Sequence, residues 1–446
     1  MANSQKGKID MTTGHIMRNI ILFAIPIIIG NVLQQLYTTV DALVIGKYCG
    51  DTSLAAVGTS SQPVEVLLCV FLGIGTGVSI LISQYIGARE SGKVVSVCGT
   101  SITLIYIVGI PIGILGWFAA PYILEFMKVP QDVWNAALIC TRVVFLGTLG
   151  NLGYNMNAGI LRGLGDSKAS LWFLVVSCVS NIVFDLLFVA GFGMDVAGAA
   201  LSTSIAMFIS WIVSIVYIRK KFPEIQFTYL PRRFSGTMMK AILAIGLPVG
   251  LNNSLYSLGH VALQTFNNSQ GAIFMAGGAV AGRITGCSNI AITGLSSAAT
   301  TFSGQNYGAK KYSRIKEGHW RVPLCSGLIT LSFGLFFIMI HKPIIRFFSS
   351  DEMVLMYASR HVVVMLLSQW FYAIFNCIIS IVNGTGKVRY TTIVNILMLW
   401  AVRIPSAYII SRYFDGTWVM LCFPISFSFG TVSYTHLRAH ETLSDL

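Results

Sequence analysis

The stretch Asn19–Tyr48, "NIILFAIPIIIGNVLQQLYTTVDALVIGKY", decides how the chain must be read. It is an unbroken, largely apolar run longer than the ~20 helical residues needed to cross ~30 Å of hydrocarbon. Its only acid is Asp41. An ionised carboxylate inside such a run is costly and rare, and by default it marks a functional site. Similar runs recur along the chain, and only 11% of its 446 residues are charged while 54% are apolar. Soluble domains carry roughly a quarter charged residues, so this composition reads as a polytopic membrane protein. Lipid leaves helices as the spanning element for runs of this length, and twelve spans are expected.

The net charge of +13 would ordinarily raise the question of nucleic acid, but its distribution points to membrane topology. With no cleavable signal, the N-terminus is expected in the cytoplasm. That side then collects basic clusters such as Arg219–Lys221, Arg232, Arg233 and Lys310–Arg314, whereas the opposite side holds only Lys47, Lys128, Lys342, Arg346 and Arg412. This is the positive-inside bias of a single orientation. Nine cysteines stand singly, without ligand spacing, and are read as packing residues.

The chain also repeats itself. "AIPIIIGNVL" around Pro26 returns as "GLPVGLNNSL" around Pro248, a shift of 222. "QYIGARESGK" from Gln84 returns as "QNYGAKKYSR" from Gln305, and "RGLGD" from Arg162 as "NGTGK" from Asn383, both shifted by 221. Three signals in one order at one offset imply an internal duplication into two six-helix halves of the same membrane orientation, an arrangement found in alternating-access transporters. The expected organisation is a cytoplasmic N-terminus over 1–16, an N-lobe over 17–218, a cytoplasmic linker over 219–238 and a C-lobe over 239–430, whose last helix, Trp418–Gly430, is expected to be incomplete, too short to span the hydrocarbon. Residues 431–446, "TVSYTHLRAHETLSDL", depart abruptly in character, and from about Val432 they are expected to be non-native, with no metal role for His436 or His440.

Three acids lie well inside the spans: Asp41, Glu65 and Asp185. Both the first and the fifth span run outward, which puts Asp41 and Asp185 at similar depth, and Asn181 shares the face of Asp185 one turn earlier. Two carboxylates in a low-dielectric lobe cannot both ionise comfortably, so one should take up and release a proton in the physiological range. The same oxygens also suit Na⁺, a hard cation. A purely structural role, with each Asp bonded to neighbours such as Tyr37, is the alternative. Glu65 is expected near an outer vestibule. Gln34, Tyr37, Asn157, Asn252, Asn253, Tyr256, Gln264 and Met275 are candidates for a cleft lining that adapts to varied lipophilic ligands. At the repeat offset Asp41 falls on Leu263 and Asp185 on Ser406, so ion coupling is expected in the first half. Arg283 and Arg403 are cations within the second half's spans, expected to bond backbone carbonyls or stabilise the lobe.

The strings "QQLYTTVDALVIG", "GIGTGVSILISQYIGA", "RGLGDSK", "GLPVGL", "SGQNYGAKK" and "VRIPSAYII" resemble the multidrug and toxic compound extrusion (MATE) family, looking closest to its prokaryotic DNA-damage-inducible-protein-F-like branch. That resemblance implies twelve helices in two lobes, and export of mostly cationic organic compounds against an inward H⁺ or Na⁺ gradient. It also implies that Asp41 and Asp185 are the cation-coupling acids, with Asn181 a polar partner and Thr203 a helix-six hydroxyl of the same site. No other cofactor, no nucleic acid and no enzymatic activity are expected; HExxH and GxSxG motifs are lacking. The partners expected are the lipid bilayer and small organic substrates, for a monomer in a bacterial or archaeal plasma membrane. A flippase for a lipid-linked precursor is the rival reading, and it would call for cations in the cleft.

Overall fold

The computed structural model describes residues 9–437 apart from Lys128, Arg232 and Ser269. Among the described residues the regular elements are helical, as lipid requires of a chain whose backbone must bond to itself. In the first half these are α1 (Ile16–Tyr48), α2 (Asp51–Gly87), α3 (Ser91–Phe126), α4 (Gln131–Leu146), α5 (Thr148–Gly163), α6 (Ser167–Asp185) and α7 (Asp195–Lys221). The second half contributes α8 (Gly236–Asn268), α9 (Ala272–Gly308), α10 (Tyr312–Phe348), α11 (Glu352–Gly384), α12 (Val388–Ile396), α13 (Ile404–Tyr413) and α14 (Cys422–Leu437). A π-helical turn, Leu186–Gly191, continues α6, and another, Leu397–Arg403, joins α12 to α13.

Counting bent rods once, the described residues give the twelve expected helical rods. Nine are long and apolar enough to cross a membrane, and α4 with α5 makes a tenth, bent by 47°. The fourth span was expected to run unbroken, but it breaks at Gly147. There an added Cβ would lie 2.2 Å from Ser204 Oγ, so α7 presses directly on the bend. Rich in Gly, Ser and Thr, α9 is long but less apolar. The expected non-native tail begins inside α14, which runs past Val432 to Leu437; residues 438–446 lie outside the described residues, as do residues 1–8.

The duplication reaches down to single backbone angles. Left-handed φ values occur at Gly50 and Gly271, at Gly165 and Gly386, and at the non-glycine pair Arg89 and Lys310, each pair 221 residues apart. The bonds closing these turns repeat too: Ala88 N donates to Gln84 O and Ala309 N to Gln305 O, while Glu90 N donates to Tyr85 O and Lys311 N to Asn306 O. A side chain other than glycine rarely adopts positive φ, so its recurrence at the same place in both halves reflects one inherited turn.

The chain divides into two compact units. The first comprises Met1–Asp10 and Ile25–Asn253. Its core gathers Phe71, Val78, Ile82, Val97, Ile105, Met156, Ile160 and Trp211 from α2, α3, α5 and α7. Asp166 caps α6 by accepting from Ala169 N at 3.1 Å, and its other oxygen accepts from Lys221 Nζ at 2.7 Å and from Tyr217 OH at 2.9 Å. The second unit comprises Met11–Ala24 and Ser254–Leu446. Its core includes Ala281, Ile284, Ala358, Val362 and Leu366 of α9 and α11. Within this unit the segment before α1 is clasped by the α9–α10 turn. Met11 N donates to Gln305 Oε1 (3.0 Å), Asn306 Nδ2 donates to Met11 O (2.9 Å), and Arg314 reaches the carbonyls of Met11, Thr13 and Gly14. Large apolar side chains such as Phe126 (90% exposed), Phe347 (86%) and Met339 (83%) remain on the surface, as a lipid-facing exterior allows.

Small residues bring helices into backbone contact. A Cβ on Gly159 of α5 would stand 2.3 Å from the carbonyl oxygen of Gly75 in α2, and main chain cannot yield as a flexible side chain would. Gly159→Ala should therefore cost about 1–3 kcal/mol through overpacking. We expect its melting temperature to fall by several degrees, while Gly92→Ala, which meets nothing within 4 Å, melts like the parent.

Candidate functional site

Two helical ladders assemble the site within the first unit. Along α1 and α6, Tyr37 packs with Leu174 and Cys178, and the Cys178 thiol donates to Leu33 O at 3.9 Å. Further along, Val44 and Ile45 pack with Val189. Between these apolar rungs the carboxyl groups of Asp41 and Asp185 adjoin one another. Along α6 and α7, Ser210 Oγ donates to Phe173 O (2.7 Å), Ser177 Oγ to Met207 Sδ (3.7 Å) and Asn181 Nδ2 to Thr203 Oγ1 (3.2 Å). Asp185 lies one turn beyond Asn181 on the same face. Immediately after Asp185 the helix opens into its π turn.

The distinctive feature is what these oxygens lack. Asp185 is fully buried; its carboxyl group adjoins that of Asp41 and lies within reach of the Ser202 hydroxyl, but neither oxygen has a donor in good hydrogen-bond geometry. Asp41 Oδ1 and Asn181 Oδ1 are likewise buried and unpartnered. Buried polar groups are nearly always bonded, and an unpaired buried carboxylate is among the most expensive arrangements a fold can hold. Acceptor atoms of Asp41, Asn181 and Asp185 are thus gathered beside the Thr203 hydroxyl, a donor set whose chemistry suits a proton shared by the acids or a small hard cation taking several oxygens.

The site borders a cavity of about 350 Å³, also within the first unit, lined by Asp41, Tyr37, Glu65 and Thr203 among others. Sequence reasoning had placed these four in the site or the cleft. It missed Thr38, Thr148, Asn151, Ser204 and Met207, which share the lining. Helical spacing carried the signal: Thr38 and Ile45 flank Asp41 on one face of α1, and Ser204 and Met207 follow Thr203 on α7.

The other expected lining residues lie elsewhere. Asn157 is fully buried and donates to Ser214 Oγ at 2.7 Å, being six residues past Asn151 and so on a different face of α5. Gln34 is exposed, and Asn252 and Asn253 are half-buried in the first unit; none of the three lines this cavity. Tyr256, Gln264 and Met275 belong to the second unit, Gln264 and Met275 exposed there. Arg283 is exposed, whereas Arg403 is fully buried and, of the two expectations for it, bonds side chains within the second unit instead of backbone carbonyls.

Comparison with known proteins agrees with the duplication. The MatE family model matches the chain twice, over residues 26–187 and 248–409, which start at the two repeat-related prolines. Probable multidrug resistance protein YoeA of Bacillus subtilis (strain 168) is 28% identical over 422 residues, covering 91% of this chain and 90% of that protein. DNA damage-inducible protein F of Escherichia coli (strain K12) is 25% identical over 369 residues, covering 81% and 80%. The fold is that of a solved outward-facing multidrug resistance MATE family transporter of the MOP superfamily, with a TM-score of 0.87 at 23% identity over 97% of this chain and 98% of that one.

Because the Asp185 carboxylate is fully buried beside a second acid, neutralising it should relieve the fold. Asp185→Asn keeps the shape and lets the new amide donate toward Asp41. At neutral pH we expect melting unchanged or raised, by up to an amount on the order of 1–4 kcal/mol. A clear fall in melting temperature would mean that the carboxylate is a structural tie.

Proposed function

This chain belongs to the MatE family of membrane transporters, which are not enzymes, and from that premise we propose that it is a cation-coupled antiporter exporting lipophilic, mostly cationic organic compounds by alternating access. The observation that carries this reading is the set of unpartnered oxygens on Asp41, Asn181 and Asp185 beside Thr203, at the edge of a cavity that also holds Glu65. Two adjoining carboxylates in a low-dielectric setting stay together only when a proton or cation lies between them, so loading and release of that charge can be linked to a change of state. H⁺ and Na⁺ both satisfy this chemistry. The coupling ion enters as transported substrate, without a further cofactor.

In this reading the six-helix halves, 17–218 and 239–430, are the moving bodies and 219–238 the cytoplasmic linker. The protein works as a monomer in a bacterial or archaeal plasma membrane with its N-terminus inside, consistent with the basic clusters of the cytoplasmic segments. The apolar lining, with Tyr37 and Met207, suits bulky lipophilic substrates of varied shape. A flippase for an anionic lipid-linked precursor is less well served, because among the described residues this cavity's lining includes two acids and no Lys or Arg.

Reconstitution in liposomes with separately imposed H⁺ and Na⁺ gradients tests the proposal. Drug efflux should respond to at least one gradient, and folded Asp41→Asn should lose that response. Combining it with Asp185→Asn should cost far less than the sum of the single effects in free energy, since both act on one site. Undiminished gradient-driven transport by Asp41→Asn would overturn the assignment, and additive losses would divide the acids between two sites.

A further inference from the structure

The duplication gives the coupling site a repeat-related address in the second unit, and that address is not empty. Helices α6 and α12 start 221 residues apart, at Ser167 and Val388. In the first half the π turn follows Asp185, whereas in the second it comes earlier, over Leu397–Arg403. A turn closed by i→i+5 bonds accommodates about one residue more than an α turn, so past it the offset becomes about 222. Arg403 then falls at the place of Asn181.

The hydrogen bonds agree. Asn181 donates to the Thr203 hydroxyl, 22 residues on, and Arg403 Nε donates to the Ser426 hydroxyl at 2.8 Å, 23 residues on. The shift of 222 between α1 and α8 brings Tyr256 to the place of Gln34; Arg403 Nη1 donates to the Tyr256 hydroxyl at 3.0 Å, a bond with no counterpart between Asn181 and Gln34 among the described contacts.

What surrounds this guanidinium is a set suited to a cation. Its central carbon stands 5.4 Å from the ring centre of Tyr256, 5.0 Å from that of Phe423 and 4.9 Å from that of Phe427. Aromatic faces stabilise a desolvated cation without a counter-charge. No ion pair involves Arg403 among the described residues, and Nη2 is left without a partner. The acids between residues 254 and 437 are Glu317, Asp351, Glu352 and Asp415, all near helix ends or in loops. A structural arginine buried in a span ordinarily faces a carboxylate or backbone carbonyls. This one lies among hydroxyls and rings.

We infer that Arg403 is a tethered cation, filling in the second unit the position that the first unit keeps open for an exchangeable one. This deepens the coupling-site reading above and rests on it. The covalent link makes the charge permanent, so the second unit is always in its loaded form, and a second coupling ion is repelled from it. Exchange is confined to one site per chain.

Melting of purified full-length protein tests this without reference to transport. Arg403→Lys, which retains a charge, should melt closer to the parent than Arg403→Met, which retains bulk alone and should lose several degrees. Arg403→Ala should lose at least as much, and millimolar methylguanidinium chloride should restore half or more of its loss, with no gain from equal potassium chloride and none for the parent. Arg403→Met melting as high as Arg403→Lys would overturn the inference, as would an Ala variant that methylguanidinium fails to stabilise. Should the Ala variant not fold, the Lys and Met pair decides. Loss of gradient-driven transport in the parent would bear on the coupling proposal and leave these melting results standing.

Discussion

Lipid offers the main chain no hydrogen-bond partner, and the rest of this structure follows from that constraint. Each crossing must satisfy its own backbone, so the fold is a set of helices and its variety lies in where they bend, widen or carry charge. These departures are not scattered. The π turn after Asp185 and the break at Gly147 both lie at the cavity or beside its acids, and the second π turn ends on Arg403. Irregular backbone in a membrane helix is costly unless protein groups compensate, and here it clusters where polar side chains need particular directions.

Charge is the second organising term, and the two halves have used it in opposite senses. The first half kept two adjoining acids on the facing sides of α1 and α6. The second has Leu263 and, in the register shifted by its π turn, Ala407 at the corresponding offsets and a buried arginine nearby. Backbone angles at three turns nonetheless repeat at a constant 221 residues, including the strained pair Arg89 and Lys310. Architecture has thus been conserved between the halves more tightly than chemistry, as expected when turns are constrained by sterics and side chains only by what they hold.

Much of this was legible in the sequence because hydrocarbon makes its demands in long runs. The number of helical rods, the duplication, and the meeting of Asp41 and Asn181 with Asp185 all follow from apolar length, offset and helical periodicity, whereas Thr203 was reached only through the family resemblance. Other features were hidden for identifiable reasons. Gly147 is one glycine among 43, and only the press of Ser204 against it distinguishes a bend from a packing contact. Asn157 and Asn151 are the same residue type on one helix, and which faces the cavity depends on a rotation that apolar patterning does not resolve in a helix polar on several sides. The π turns have no sequence signature of their own. They shift the register that would otherwise have matched Arg403 to Ile182 instead of Asn181.

The clasp on the N-terminal segment bears on how the protein is made. Met11 is fully buried, and its amide bonds to Gln305, 294 residues away in sequence. A ribosome working from the N-terminus must complete the turn between α9 and α10 before that seat exists. Until then the first segment to emerge has nothing in the second unit to bind. The entropy of closing so long a loop grows only slowly with its length, so the contact can form late without prohibitive cost. Vectorial synthesis thereby leaves the segment around Met11 unfastened until the turn between α9 and α10 has been made, and completion of this clasp reports that this turn has formed.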